Sequence, residues 1–407
     1  MSFQLLKEEC SQIADDVAGF AQKLIQTPSL SGEEEKVAEI IVREMRKLKY
    51  DEVFTDAMGN VVGIIKGNGQ GENIMLNGHM DHVDPGQLDQ WDYDPYEGVI
   101  FDGYLHGRGT CDMKGAIASQ VYAAYIIKKL GLSHRGDIII SCVVQEEPAE
   151  CVGMAFLCDT TFIQKGIKVD FVVLGEPSNL KFVLGHKGRM ELEVTTVGRT
   201  SHGSAPALGI NAVYKMLPVL DKVQTLNDNL PTHRVFGKST ISLTIISCSP
   251  GRLSVIPDRC TVCLDRRFAP TETVEQILAQ IETILKDIEK EDPQFRGYVR
   301  MREVDEVSYT GRKTRARKLQ LPWLIEPDHP KAARAYAALG EVGQKPERAY
   351  WHFATDGSHT AVVRGIPTIG YGPGEEGLVH TPKERVSLES LVQCAIGSAA
   401  IALAISQ

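Results

Sequence analysis

The sequence predicts an α/β protein whose mainly parallel, mixed sheet is interrupted by a smaller inserted domain. Three observations lead there. Helix and strand signals alternate through the first 180 residues, the pattern of a parallel sheet with crossover helices. Near Gly185 the order changes to strand, helix, strand, strand, helix. Signals of the first kind then return as a strand in Val362–Tyr371 and a helix in Leu388–Ile405. An insertion accounts for this return better than two tandem domains, so the main domain is expected over 1–185 and 295–407 and the insert over 186–294.

Taken in order, Ser31 followed by Glu34 has the spacing of a capping box ahead of an amphipathic helix through Val37–Val42. Strand-like runs at Asn60–Lys66, Asn73–Asn77, Asp137–Val144 and Asp170–Leu174 are apolar and bounded by glycine or charge. Ala116–Leu130 reads as a helix. In the insert, Arg189–Val197, Ser239–Ser247 and Arg259–Phe268 are predicted strands, and Asn211–Leu226 and Val274–Glu289 helices. No internal repeat or low-complexity tract interrupts the pattern.

Composition narrows the function classes. The 407 residues carry 44 Lys+Arg against 53 Asp+Glu, a formal net charge of −9, with 43% hydrophobic and 24% charged residues. That balance argues against nucleic acid or an anionic membrane as partner, since both recruit clustered positive charge. Nine cysteines, an odd number in a long chain, suit buried thiols better than a disulfide framework. Lys7-Glu8-Glu9 puts acids where a secretory signal needs bases, and the apolar stretch Ala395–Ile405 falls short of the ~20 residues that span a bilayer. A cytoplasmic protein is expected.

In α/β sheets ligands gather at the carboxyl ends of strands, so the residues following each strand are the place to look for chemistry. After Asn73–Asn77 comes Gly78-His79-Met80-Asp81, where on extended backbone Asp81 can orient His79 for a metal, although His-x-Asp triplets are common. Asp112, in Gly109-Thr110-Cys111-Asp112-Met113-Lys114-Gly115, reads first as a plain N-cap when taken in isolation. Glu146-Glu147 follows a strand; adjacent carboxylates repel unless a cation or exposure to water relieves them. Glu176 follows the next strand, and His380 stands in His380-Thr381-Pro382-Lys383-Glu384. Together these residues form an imidazole-and-carboxylate set suited to Zn²⁺ or a similar divalent ion, and a carboxylate can bridge two ions at ~3.5–4 Å.

With these motifs in this order, the sequence resembles the M20 metallopeptidases, the clan of acetylornithine deacetylase, succinyl-diaminopimelate desuccinylase, aminoacylase-1 and carboxypeptidase G2. Trp91-Asp92-Tyr93-Asp94-Pro95-Tyr96, Gly188-Arg189-Met190-Glu191, His202-Gly203-Ser204-Ala205-Pro206 and Asp265-Arg266-Arg267 look most like the branch of selenium metabolism-linked hydrolases. The resemblance implies a zinc-exopeptidase-like main layer and a ferredoxin-like lid that also makes a homodimer. It implies two Zn²⁺ per subunit, with Co²⁺ or Mn²⁺ as substitutes. His79, Asp112 and Glu176 would hold one ion and Asp112, Glu147 and His380 the other. Glu146 would act as general base toward a metal-bridging water, with Asp81 orienting His79. The Asp112–Met113 peptide is usually cis in the family.

From the lid, His202 would stabilise the oxyanion across the dimer, although a helix-capping loop histidine fits the same residues. Arg267 would clamp a substrate carboxylate, against the alternative of a surface arginine. Asn211, which follows the lid motif, and Asp356, in Ala354-Thr355-Asp356-Gly357-Ser358, would lie near substrate. The implied reaction is hydrolysis of an amide-type C–N bond in a small N-acyl amino acid or dipeptide-like molecule bearing a carboxylate. The same centre could serve a ureido group, and a non-catalytic binding protein could retain the fold. His82 and Pro148 depart from the family pattern, and His186 has no evident role. Cys260 and Cys263 read as structural, Cys111 as a small buried residue, and Arg312–Lys318 as a solvated loop or a rim that attracts an acidic substrate.

Overall fold

The computed structural model describes residues 2–148 and 151–407. The first part of the chain lays down six strands: β1 (Glu52–Thr55), β2 (Val61–Ile65), β3 (Ile74–His79), β4 (Ile138–Val143), β5 (Phe171–Leu174) and β6 (Phe182–His186). Every residue of β2 to β6 is buried, which explains why these segments read as continuous apolar runs rather than alternating ones: both faces of the sheet are covered.

The chain then leaves for the insert, made of β7 (Gly188–Val197), a helix (Ala212–Asp228), β8 (Thr240–Ser249), β9 (Arg259–Phe268), a helix (Val274–Glu291) and β10 (Gly297–Met301). These strands form an antiparallel sheet ordered β8-β9-β7-β10, the ferredoxin-like connectivity, with a separate apolar core. The insert continues beyond the expected boundary at 295. β10 and Leu319–Gln320 both pair with β7, and the chain rejoins the main sheet only at β11 (Trp323–Leu324). β12 (Arg348–Trp351) and β13 (Thr368–Gly370) complete it.

The main sheet has nine strands in the order β1-β2-β4-β3-β5-β13-β6-β11, with β12 beside β6. Its central strands β4, β3, β5 and β13 are parallel and its flanks largely antiparallel, the mixed sheet expected. The helix Gly115–Lys129 lies almost wholly buried against Leu388–Ile405. The latter is, among the described residues, the one helix long and apolar enough to cross a membrane; 67% of it is buried inside the protein.

Three local expectations change. The Val362–Tyr371 strand shrinks to Thr368–Gly370, because Ser358–Val363 turns helically first. The basic run 312–318 is a strand rather than a solvated loop: Lys313–Arg317 pairs with Glu303–Val307, and Arg315 meets Glu303 across the pair at 2.8 Å. The capping box does not form. Ser31 donates instead to Asp81, and the Glu34 carboxylate accepts from the Gly32 and Gln145 amides.

Candidate metal centre

The parallel strands β3, β4 and β5 end side by side, which brings His79, the Glu146-Glu147 pair and Glu176 to one rim of the sheet. Asp112 arrives from the loop ahead of Gly115–Lys129, where Asp112 and Met113 are non-helical and their peptide bond is cis. It is therefore not an N-cap: its side chain faces histidines. One Asp112 oxygen lies 2.9 Å from His79 Nε2 and the other 3.3 Å from His380 Nε2. Glu147 approaches His380 at 3.2 Å and Glu176 approaches His79 at 3.9 Å. Donor atoms of His79, Asp112 and Glu147 lie within 4.8 Å of one another, and so do those of His79, Glu146 and Glu176. Glu146 thus stands as near His79 as a ligand would.

Electrostatics follow from crowding. Burial, with the charge of Glu176, pushes the Glu146 carboxyl well above the ordinary carboxylate range. Glu176 rises likewise through burial. Burial opposes charge on His79, yet its hydrogen bonds to Asp112 and Asp81 hold its pKa well above the usual imidazole value. Hydrogen bonds to Asp112 and Glu147 lift His380 to about 10.

A scaffold of buried polar groups fixes this cluster. Asp81 accepts from the Ser31 hydroxyl at 2.6 Å and from the amides of Glu146 and Glu147 at 3.1 Å each, while the Asp81 backbone carbonyl meets His79 Nδ1 at 2.9 Å. One residue thereby sets both the histidine and the turn carrying two acids. Glu384, quoted in the last motif without a role, does the same for Asp112. Its carboxylate accepts from the amides of Gly109 (3.0 Å), Cys111 (3.0 Å) and Asp112 (3.2 Å) and pairs with buried Arg108. Lys114 is fully buried and donates to the Leu24 and Thr27 carbonyls, tying this loop to the helix Ala14–Ile25.

The other predicted residues lie further out or deeper in. His202 is exposed on the insert, with Nδ1 held by Ser204 at 2.6 Å and Nε2 without a partner among the described residues. Asn211 caps the helix Ala212–Asp228, its Oδ1 accepting from Val213 and Tyr214. Arg267 is partly exposed and forks onto Asp265. Asp356, expected to face substrate, is instead 1% exposed; Oδ2 accepts from Asn77 at 3.4 Å and Oδ1 is buried without a partner. Its carboxyl is pushed up to about 6 by burial.

His82 is a buried staple, accepting from the Ser29 amide and donating to the Val83 carbonyl. Each cysteine carries a free thiol, and of them only Cys248 is exposed; Cys111, Cys260 and Cys263 are all buried.

The donor set fits divalent cations. Asp81, Asp112, Glu146, Glu176 and Asp356 are buried together, Glu147 nearly so, and an Asp356 oxygen is left unsatisfied. The two histidines are the positive partners that touch these acids, with the buried Lys114 ammonium standing behind Asp81. Carboxylate oxygens with imidazole nitrogens are the ligands zinc and related ions take.

Fold and site together define a mixed α/β hydrolase built around a buried histidine–carboxylate centre. Residues 75–404 match the profile of peptidase family M20/M25/M40. The chain is 36% identical over 404 residues to the uncharacterized protein YgeY of Escherichia coli K12, covering 98% of this chain and 97% of that one. A succinyl-diaminopimelate desuccinylase of Bordetella parapertussis is 26% identical over 278 residues, covering 67% of this chain and 73% of its own. Among solved structures, aminopeptidase PepT of Bacillus cereus superposes with a TM-score of 0.73 at 20% identity, over 97% of this chain and 99% of that one. A dinuclear metal-binding M20 peptidase of Bacillus subtilis gives 0.71 at 15% identity, over 98% and 100%. These two share the fold. The chain belongs to peptidase family M20/M25/M40, and it is an enzyme: a metal-dependent hydrolase of the kind that acts on C–N amide bonds.

Proposed function

We propose that the protein hydrolyses the amide-type bond of a small N-acyl amino acid or dipeptide-like substrate, using Glu146 as general base beside a pair of divalent ions. His79, Asp112 and Glu176 would hold one Zn²⁺ and Asp112, Glu147 and His380 the other, with Co²⁺ or Mn²⁺ as substitutes. Such ions, when bound, polarise the scissile carbonyl and acidify a water. The observation that carries this reading is the placement of Asp112, one oxygen toward each histidine, beside a Glu146 carboxylate that makes no hydrogen bond to another described residue. An uncommitted, buried carboxylate with a raised pKa is suited to take a proton from water and hand it to the departing nitrogen. Asp81 keeps His79 and the Glu146 amide in register while this happens.

His202 would donate to the developing oxyanion through its free Nε2. Arg267 would exchange Asp265 for a substrate carboxylate, with Asn211 and Asp356 shaping the surroundings. The names of relatives support a small amide: one is a desuccinylase, one an aminopeptidase. A homodimer through the insert is supported by its edge strand β8, where Leu243, Ile245 and Ile246 are exposed, and by Tyr214 and Leu217 on the neighbouring helix. A cytoplasmic location completes the reading.

The test is Glu146→Gln, assayed on a panel of N-acyl and N-carbamoyl amino acids and dipeptides. Metal content should match the parent while kcat falls by about 10²–10⁴-fold. A kcat near the parent's overturns the base assignment, and release of carbamate rather than a carboxylic acid redirects the substrate class.

A further inference from the structure

The insert is joined to the main domain by His186–Gly188 outbound, by the hairpin Glu303–Arg317, which packs on the main domain through Tyr309 and Thr310, and by Gln320–Trp323 returning. His186 closes β6 at the first of these, 0% exposed. Its Nδ1 accepts from the Thr355 amide at 2.8 Å, so the proton sits on Nε2, which donates to the Leu321 carbonyl at 3.1 Å. One imidazole thus binds the outbound hinge, the returning hinge and the loop holding Asp356.

Other contacts knit the same three pieces. The Leu321 amide donates to Ser358 Oγ at 2.6 Å. Gln320 donates to Cys151 Sγ at 3.3 Å, and that thiol faces the Thr355 carbonyl at 3.7 Å. Trp323, whose ring lies 5.8 Å from that of His186, covers Gly357 so closely that a Cβ there would sit 2.2 Å from the indole nitrogen. Asp356, in the middle of this loop, bonds Asn77, two residues before His79 on the same strand. A movement of the returning hinge therefore either carries Asp356 with it or breaks these bonds.

We infer that His186 is a positioning residue coupling the orientation of the inserted domain to the Asp356 side of the metal centre. This deepens the hydrolase reading and rests on it. Groups bonded directly to metal ligands commonly carry about 10–100-fold effects on affinity or activity. His186 stands further back, through Thr355, Asp356 and Asn77, so the lower end of that range sets the scale for its loss.

The test compares His186→Phe, which keeps a ring but loses both bonds, with His186→Asn, whose Oδ1 can still accept from Thr355 but cannot reach Leu321. Each is assayed for kcat, KM, melting temperature and Co²⁺ affinity, the last by titration of the visible absorption of the bound ion. In His186→Phe kcat should fall about tenfold or more with KM within about threefold, and Co²⁺ should bind about tenfold more weakly. His186→Asn should restore Co²⁺ binding to within about threefold but keep a kcat loss of about threefold, because the Leu321 bond is still missing, while melting as low as the phenylalanine variant. Parental kcat and Co²⁺ affinity in both variants, or equal losses in both, overturn the coupling.

If His186→Phe does not fold, Ser358→Ala, which removes only the acceptor for Leu321, should give the same kcat-selective loss at about threefold, and an unchanged kcat there overturns the proposal. A parent enzyme inert on every amide would overturn the function proposed above, whereas the Co²⁺ titration still reads the coupling.

Discussion

Replacing Glu384 by Gln tests how Asp112 is held. The native carboxylate collects three backbone amides from Gly109, Cys111 and Asp112 and faces the guanidinium of Arg108, which is 2% exposed. A glutamine offers one acceptor oxygen and turns two donor hydrogens toward either the amides or the guanidinium, so one side must lose its acceptor. Removing one partner of a buried pair costs about 3–5 kcal/mol, because the other charge stays buried without compensation. Spread over the unfolding entropy of a chain of 407 residues, that is a fall in melting temperature of about 4–6 °C. The loosened loop carries Asp112, so metal affinity should drop as well, by about tenfold or more. Differential scanning calorimetry and a chelator competition measure the two effects. A second variant, Arg108→Gln with Glu384→Gln, should melt higher than the sum of the single losses predicts. Melting within about 1 °C of the parent with unchanged metal affinity would refute the anchor.

Two further predictions concern charge and assembly. In metal-free protein the raised pKa of His380, about 10, contributes stability that is full below its unfolded value near ~6.5 and fades as pH climbs toward the folded value. The raised Glu146 and Glu176 carboxyls add a penalty once the unfolded chain ionises, whereas the lowered Asp81 and Asp112 act only at acid pH. Chelator-treated protein should therefore lose melting temperature from pH 6 to 9 and metal-loaded protein much less; a flat or rising metal-free profile contradicts the charge assignment. Ile246→Lys, on the exposed face of β8, should shift the particle measured by light scattering from dimer to monomer, and an unchanged mass removes β8 from the interface.

Much of the site was legible because its residues follow strand ends, where apolar runs stop and a donor begins. His79 closes a run that the sheet buries on both faces, and Glu146, Glu147 and Glu176 follow shortly after two others. Glu384 was not legible as an anchor: it acts on backbone amides some 272 residues earlier, and backbone donors leave no mark in a sequence. His186 was hidden for the same reason, since both of its partners are main-chain groups. Ser31 and Glu34 had correct cap spacing, but a buried carboxylate and two amides competed for them and won. The insert's far boundary was missed because Gly297–Met301 is short and half-exposed and Leu319–Gln320 is two residues long with a polar one buried, too weak in pattern to announce sheet membership. The basic run misled because its charges are matched by acids on the neighbouring strand, a pairing visible only once the hairpin has formed.

The central claim is that this cluster is a two-ion centre organised on Asp112. Crystals grown with zinc and measured on either side of the zinc absorption edge test it directly. The account predicts two anomalous peaks per chain, one beside His79 and Glu176 and one beside His380 and Glu147, with Asp112 between them. A single peak, or peaks away from Asp112, would contradict it.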